Sequence, residues 1–137
     1  MKLKRGFTLI EILVTISIIG LLTMIGVTNF RVANQKARDG RRQGDLEQIK
    51  AALELYRTDE AEYLGSITAG EAIQSPTDTV YMNEVPDDPL STQDYYYTSD
   101  GDTYMLCAAL ELDLSGACGG ASCGTGVTCN YQVTNPL

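Results

Sequence analysis

The chain begins with a short basic segment followed by a continuous apolar run. Residues 7–27 read FTLIEILVTISIIGLLTMIGV, which is 21 residues with a single charged side chain, Glu11. A helix of that length rises about 30 Å, the thickness of the hydrocarbon core of a bilayer. The run therefore predicts a membrane-spanning helix.

Beyond the apolar run, hydrophobic residues return three or four positions apart, which indicates a helix with one buried face. We predict one long helix over residues 7–57, with 7–27 as its membrane or assembly half. Gly20 and Gly26 each weaken a helix by about 1 kcal/mol relative to alanine, so the sequence leaves a break near them open. The buried face consists of Leu46, Ile49, Leu53 and Tyr56.

The remaining residues, 58–137, predict a globular head with a small sheet. A segment rich in turn residues, 65–89, precedes two strand-like runs at 95–98 and 103–107. The two runs flank Ser-Asp-Gly-Asp, a strong hairpin signal, and a third alternating run covers 127–133. The predicted fold class is α+β: a long N-terminal helix packed against a small antiparallel sheet.

Charge is distributed unevenly along the chain. All ten lysine and arginine residues lie at or before Arg57, whereas residues 58–137 carry 13 acidic side chains. Such a head repels phosphate backbones, so we expect it to bind no nucleic acid. The chain contains no histidine, which excludes imidazole catalysis and histidine-ligated metals.

Residues 31–42 form a basic run in which five cations accompany only one anion, Asp39. Two interpretations remain open: a solvated helix face, or a surface that meets the acidic head of a neighbouring copy. Charge pairs of this kind add little stability singly but steer docking. The cations are Arg31, Lys36, Arg38, Arg41 and Arg42.

The basic leader sets the orientation in the membrane. Lys2, Lys4 and Arg5 precede the apolar run, and positive flanks remain in the cytoplasm. The head is therefore expected outside the cytoplasm, with the precursor crossing the inner membrane once. No small-x-small site closes the run, so removal by an ordinary signal peptidase is not expected.

Four cysteines lie in the last 31 residues: Cys107, Cys118, Cys123 and Cys129. An even number in an exported segment favours disulfides, and four cysteines allow three pairings, which the spacing does not distinguish. A structural zinc site is the alternative, although the spacings form no pair of Cys-x-x-Cys motifs.

Glu11 lies inside the predicted membrane helix. A carboxylate in hydrocarbon costs about 2.5–3.5 kcal/mol on insertion scales for comparable charged groups. One alternative is a plain signal anchor whose Glu11 reaches the headgroups. We favour the other, in which Glu11 has a cationic partner.

The segment Gly6-Phe7-Thr8-Leu9-Ile10-Glu11, after a short Lys/Arg leader and before the apolar run, resembles the N-terminus of type IV prepilins and of type II secretion pseudopilins. The resemblance implies a type IV pilin-like fold. It also implies that a prepilin peptidase cleaves after Gly6, removes the leader 1–6, and N-methylates Phe7. In this family the amine of one subunit pairs with the acid of its neighbour, here Phe7 with Glu11. An intramolecular contact between these two groups is the competing possibility.

The resemblance favours a structural subunit over an enzyme. Our first expectation is a type IV pilin that polymerises with copies of itself, on an assembly platform, into a cell-surface filament. The second is a type II secretion pseudopilin that forms a periplasmic filament, and the third is a monomeric membrane-anchored binding module. We expect no cofactor, except that the likeness to secretion pseudopilin heads makes Asp100 and Asp102 calcium candidates. An ordinary Asp-Gly turn is the alternative there.

Overall fold

The computed structural model describes residues 6–112, 116 and 118–135. The first five residues of the predicted leader lie outside this part of the chain. One helix, α1, extends over Leu9–Glu60 without interruption, so the helix does not break near Gly20 or Gly26. It ends where Ala61 takes a left-handed conformation, φ 65°, and donates its N–H to the Arg57 carbonyl at 2.9 Å.

The chain divides into two compact units, the first ending at Gln35 and the second beginning at Lys36. In the first unit, α1 exposes almost every side chain that the structure describes. In the second unit, the rest of α1 packs into the head, and Leu46, Ile49 and Leu53 are completely buried. The predicted apolar face of the helix is therefore confirmed.

The main sheet of the head has three antiparallel strands: β3 (Tyr96–Ser99), β4 (Tyr104–Ala108) and β5 (Tyr131–Thr134). Their order is β3-β4-β5, with Leu106 opposite both Tyr97 and Val133. Because side chains alternate along a strand, the sheet has two distinct faces.

One face of this sheet packs on α1 and the other is covered by a loop. Tyr104, Leu106 and Val133 join the helix residues in the main core. Cys107, from the opposite face of β4, belongs to a second cluster with Cys118, Cys123 and Cys129. The α+β architecture of a long helix and a small antiparallel sheet is confirmed.

Two predictions about strands need correction. The third strand begins at Tyr131 rather than at residue 127, because 127–129 belong to the loop that the Cys123–Cys129 disulfide closes. The turn-rich segment also contains an unpredicted ribbon, β1 (Ile73–Gln74) and β2 (Val80–Met82). Strands of two or three residues are too short for alternation to reveal them.

Candidate processing and assembly site

The predicted cleavage point lies just before α1. Gly6, Phe7 and Thr8 are outside the helix and exposed, and the Phe7 side chain keeps 85% of its surface accessible. A protease needs an accessible, non-helical backbone at the bond it cleaves, and this segment supplies one. Glycine before that bond presents no Cβ to the enzyme.

Thr8 and Glu11 form a capping box at the start of the helix. The Thr8 amide and hydroxyl both donate to Glu11 Oε2 at 3.0 Å, and the Glu11 amide donates to Thr8 Oγ1 at 3.4 Å. Reciprocal bonds of this kind satisfy backbone donors that a helix N-terminus otherwise leaves free. Thr8 is therefore a partner of Glu11, and its amide remains in place after cleavage before Phe7.

Thr8 was not among the predicted site residues, although the sequence carries the signal for it. Thr8-Leu-Ile-Glu11 followed by an apolar run matches the capping-box pattern. Within the part of the chain that the structure describes, the box occupies Glu11 Oε2 and no bond is formed by Oε1. Glu11 Oε1 can therefore accept a hydrogen bond from another molecule.

The helix after Glu11 presents apolar side chains on every side. It is the one described helix long and apolar enough to cross a membrane. Two of its hydroxyls are bonded within the helix: Ser17 donates to the Leu13 carbonyl at 2.7 Å and Thr23 to the Ile19 carbonyl at 3.0 Å. Such bonds lower the cost of placing a hydroxyl in hydrocarbon.

In the second unit, the basic run provides a buried arginine. Arg42 is completely buried and donates Nε and Nη2 to the two carboxylate oxygens of Asp88 at 2.7 and 2.9 Å. Arg42 Nη1 also donates to Asp39 at 2.9 Å and to Glu111 at 3.2 Å. The bidentate bond to Asp88 holds the pKa of Arg42 above its usual value.

A second arginine completes this network. Arg38 makes a two-bond contact with Glu111, with Nη2 to Oε2 at 2.7 Å, and these bonds lower the pKa of the Glu111 carboxyl below its usual range. Asp39 accepts the backbone N–H groups of Glu111 at 2.9 Å and of Leu112 at 3.0 Å. The network thus ties α1 to two separate connections of the head.

The basic run therefore divides into two groups. Arg38 and Arg42 bind acids of their own head, whereas Arg31, Lys36 and Arg41 are exposed. Neither interpretation of the sequence, a wholly solvated face or a wholly intermolecular one, describes all five residues. The buried guanidinium was not predictable because two of its three acids, Asp88 and Glu111, are 46 and 69 positions away.

The four cysteines form two disulfides, Cys107–Cys118 and Cys123–Cys129. The prediction of disulfides is confirmed, and the structure selects one of the three pairings. Because each of the four sulfurs is in one of these two disulfides, no thiolate remains for the zinc alternative. Both bridges are buried against the face of the sheet that lies away from α1.

Asp100 and Asp102 lie in the hairpin turn between β3 and β4. The Asp100 carboxylate accepts the backbone N–H of Asp102 at 3.1 Å and of Thr103 at 2.7 Å. The bonds from Thr103 lower the pKa of Asp100, and Gly101 supplies the left-handed conformation that the turn needs, φ 92°. Among the described residues, no group of three or more acidic or cysteine side chains is arranged to hold a metal. Calcium at this turn stays a prediction.

The comparison with known proteins begins at the cleavage segment. A family model for the prokaryotic N-terminal methylation motif matches residues 1–27. Type II secretion system core protein G of Vibrio cholerae is 31% identical over 111 residues, which cover 74% of this chain and 75% of the relative. The chain belongs to the family of type II secretion system core protein G. The protein of that name from Pseudomonas aeruginosa is 31% identical over 120 residues, covering 77% of this chain and 84% of the relative.

Membership in this family confirms the predicted resemblance to type IV pilins and pseudopilins. Among these alternatives, the names of the relatives favour the secretion pseudopilin, which the sequence analysis placed second. The core protein G of Escherichia coli, 30% identical over 118 residues that cover 77% of this chain and 81% of the relative, agrees with this assignment. No solved structure gives a significant match.

Proposed function

We propose that this chain is a pseudopilin: a structural subunit that polymerises into a periplasmic filament of a type II secretion system. Family membership carries the proposal, together with the exposed apolar helix that follows the methylation motif. A water-soluble domain rarely exposes so large an apolar surface, which requires a lipid or protein cover. Lipid covers it before assembly, and neighbouring subunits cover it afterwards.

Processing prepares the chain for this exchange. The precursor lies in the inner membrane with its leader in the cytoplasm, where prepilin peptidase cuts between Gly6 and Phe7 and methylates the new amine. The cut removes three positive side chains and places a cation one helical turn from Glu11. The apolar helix stays attached to the mature subunit.

Assembly then pairs opposite charges in a medium of low dielectric. The amine of Phe7 on one subunit binds the Glu11 carboxylate of its neighbour, where Oε1 is free of the capping box. Each charge is costly alone in hydrocarbon and strongly attracted to the other. The pair therefore selects correctly positioned subunits and sets the axial register. In this role Glu11 is a structural contact, and we infer that the chain is not an enzyme.

A surface filament of the type IV pilus kind is the second candidate. The observation that favours it is the pair of disulfides on the face of the sheet away from α1. Disulfides stabilise proteins in oxidising surroundings, which a fibre outside the cell envelope meets. The N-terminal chemistry is the same in both candidates. The two candidates differ in whether the filament stays in the periplasm or extends from the cell surface.

Intact-mass spectrometry of the native protein tests the processing step. We expect the loss of residues 1–6, one added methyl group, and four fewer hydrogens than four free thiols require. An intact leader on the mature protein would refute the subunit proposal and favour a tethered binding module. Gly6→Leu is the matched variant, and we expect it to keep the leader.

Fractionation then separates the two filaments. Shearing of intact cells releases a surface pilus, whereas a periplasmic pseudopilus remains with the envelope and is required for export of folded proteins. We expect retention in the envelope and a loss of export when the gene is deleted. Abundant sheared fibres with normal export would favour the pilus instead.

Calcium at Asp100 and Asp102 is a separate proposal. It is tested by thermal unfolding of the full chain in detergent, with added calcium and with a chelator. A rise in melting temperature that Asp102→Asn abolishes would support the site. Equal melting temperatures in the two buffers would exclude a stabilising ion there.

A further inference from the structure

The part of α1 inside the head has one face that the head does not cover. The exposed positions recur three or four residues apart, which places them on one side of the helix. Leu55 is 56% exposed on this side. A Cβ at Gly44 would meet no atom within 4 Å, so packing inside the head does not require glycine there. We call these residues the outer face: Ala37, Arg41, Gly44, Gln48, Ala51, Leu55 and Asp59.

The outer face carries one cation, Arg41, and one anion, Asp59, with no charged residue between them on this face. Arg41 and Asp59 are 18 residues apart, which is five full turns and about 27 Å along the axis, so their side chains leave the helix in the same direction. The four residues between them on this face are small, polar or apolar and uncharged.

Both charged ends are available to another molecule. The Arg41 side chain is 60% exposed, and its nearest carboxylate, that of Asp45, is 3.7 Å away and already accepts the Tyr95 hydroxyl at 2.7 Å. Asp59 is exposed and accepts the Tyr81 hydroxyl through Oδ2 at 2.6 Å. That bond fixes the direction of the Asp59 carboxylate, and no described residue binds its Oδ1.

We propose that the outer face is a contact between two copies of this chain, in which Arg41 of one copy binds Asp59 of a second copy farther along the filament. The inference rests on the proposed function, because only a polymer brings the same helix alongside itself repeatedly. Two parallel helices displaced by about 27 Å bring the cation of one to the anion of the other. The Phe7–Glu11 pair needs a displacement of only about 6 Å, so the two contacts involve different neighbours in the filament. Gly44 and Ala51 let two helices approach closely at these two positions of the uncharged strip, since neither presents a bulky side chain.

Charge complementarity favours a second copy of this chain as the partner of the outer face. Every cation of the chain lies at or before Arg57, so an acidic head repels its own kind except where a cation such as Arg41 is exposed and holds its own acid, Asp45, only at 3.7 Å. Single surface pairs contribute little, but each subunit of a filament repeats the contact. We therefore expect a moderate effect on assembly and no effect on folding of the head.

Charge reversal tests the proposal. The full-length variants are expressed in cells in which the wild-type chain assembles into filaments. Arg41→Asp and Asp59→Arg are each expected to lower the filament-incorporated fraction about twofold to fivefold, which is the size of one surface ion pair. The double variant restores the pair with its polarity exchanged and is expected to recover at least half of the loss. Thermal unfolding in detergent is expected to be unchanged for Arg41→Asp.

Lys36→Asp is the matched control for net charge. Lys36 is exposed like Arg41, but five residues separate them, which places Lys36 about 140° away around the helix. We expect it to assemble as the wild type does. Equal losses in Lys36→Asp and Arg41→Asp would overturn the proposal, as would failure of the double variant to recover.

Other outcomes are equally decisive. Normal assembly of both single variants refutes the contact between copies, and weaker binding of Arg41→Asp to anionic vesicles would then assign the surface to lipid headgroups. If the wild-type chain enters no filament, the proposed function itself fails. That result differs from the one in which the wild type and both variants assemble equally, where only this contact fails.

Discussion

Arg42 and Asp88 form a completely buried, bidentate ion pair between α1 and the connection that precedes β3, with two bonds of 2.7 and 2.9 Å. The Asp88 side chain is 1% exposed, so water can replace neither partner. A planar guanidinium matches a carboxylate in this geometry, which lysine cannot reproduce. The pair fixes where the head docks on its own helix.

Removal of one partner is expected to destabilise the head strongly. Arg42→Met leaves the Asp88 carboxylate buried and without its cation, and such changes cost about 3–5 kcal/mol. Thermal or denaturant unfolding of the full chain in detergent measures the loss. Arg41→Gln, one residue away and largely exposed, is the control, expected to change stability by less than about 1 kcal/mol.

Acid is expected to weaken the same network through Glu111. Arg38, together with Arg42, holds the pKa of Glu111 below the ordinary value for glutamate, which is about 4.3. A lowered folded-state pKa stabilises the head fully above the unfolded value, and that contribution is lost as the pH falls through the folded pKa. The melting temperature is therefore expected to drop below about pH 4 from this source. Glu111→Gln should show a shallower drop than the wild type; an identical acid profile would contradict this assignment.

The capping bonds of Glu11 and its proposed charge pairing with a neighbouring subunit are separable by substitution. Glu11→Gln keeps the capping box with Thr8, because glutamine also serves at that position, but it removes the charge. We expect normal cleavage after Gly6 and almost no entry into filaments, measured by mass and by envelope fractionation. Thr8→Val keeps the charge and loses the cap, at a cost to the helix start of about 0.5–2 kcal/mol, and is expected to assemble at least in part. Efficient assembly of Glu11→Gln would show that the charge is not needed.

Gly124 is expected to tolerate no side chain. Its φ is 133°, and a Cβ there would lie 2.4 Å from the Thr92 carbonyl oxygen, where the chain forms a bridge to Gln93. Gly124→Ala is expected to destabilise the head by about 1–3 kcal/mol, as overpacking does elsewhere. Gly126→Ala is the matched control, because Gly126 also has a positive φ, 74°, but a Cβ there would have open space. Equal losses in the two variants would leave only backbone strain and refute the clash.

Several features of this protein follow from local sequence. The apolar run, the basic leader and the Gly6–Phe7 junction predicted the membrane helix and the family, because each signal lies within a few neighbouring residues. The spacing of Leu46, Ile49 and Leu53 predicted the buried helix face for the same reason: a helix repeats every 3.6 residues whatever surrounds it. Thr8 was predictable in the same way.

Other features were decided only by the tertiary structure. Two of them are contacts between residues distant in sequence: the Cys107–Cys118 disulfide and the buried pair of Arg42 with Asp88. A third is the start of β5 at Tyr131, which follows the loop closed by a disulfide. No local pattern records these contacts, because the chain must first fold before a guanidinium at one position can find a carboxylate 46 positions away. Amino-acid order determined the predicted membrane helix and cleavage site of this chain, whereas folding decided which of its charges are bound inside the head and which stay exposed.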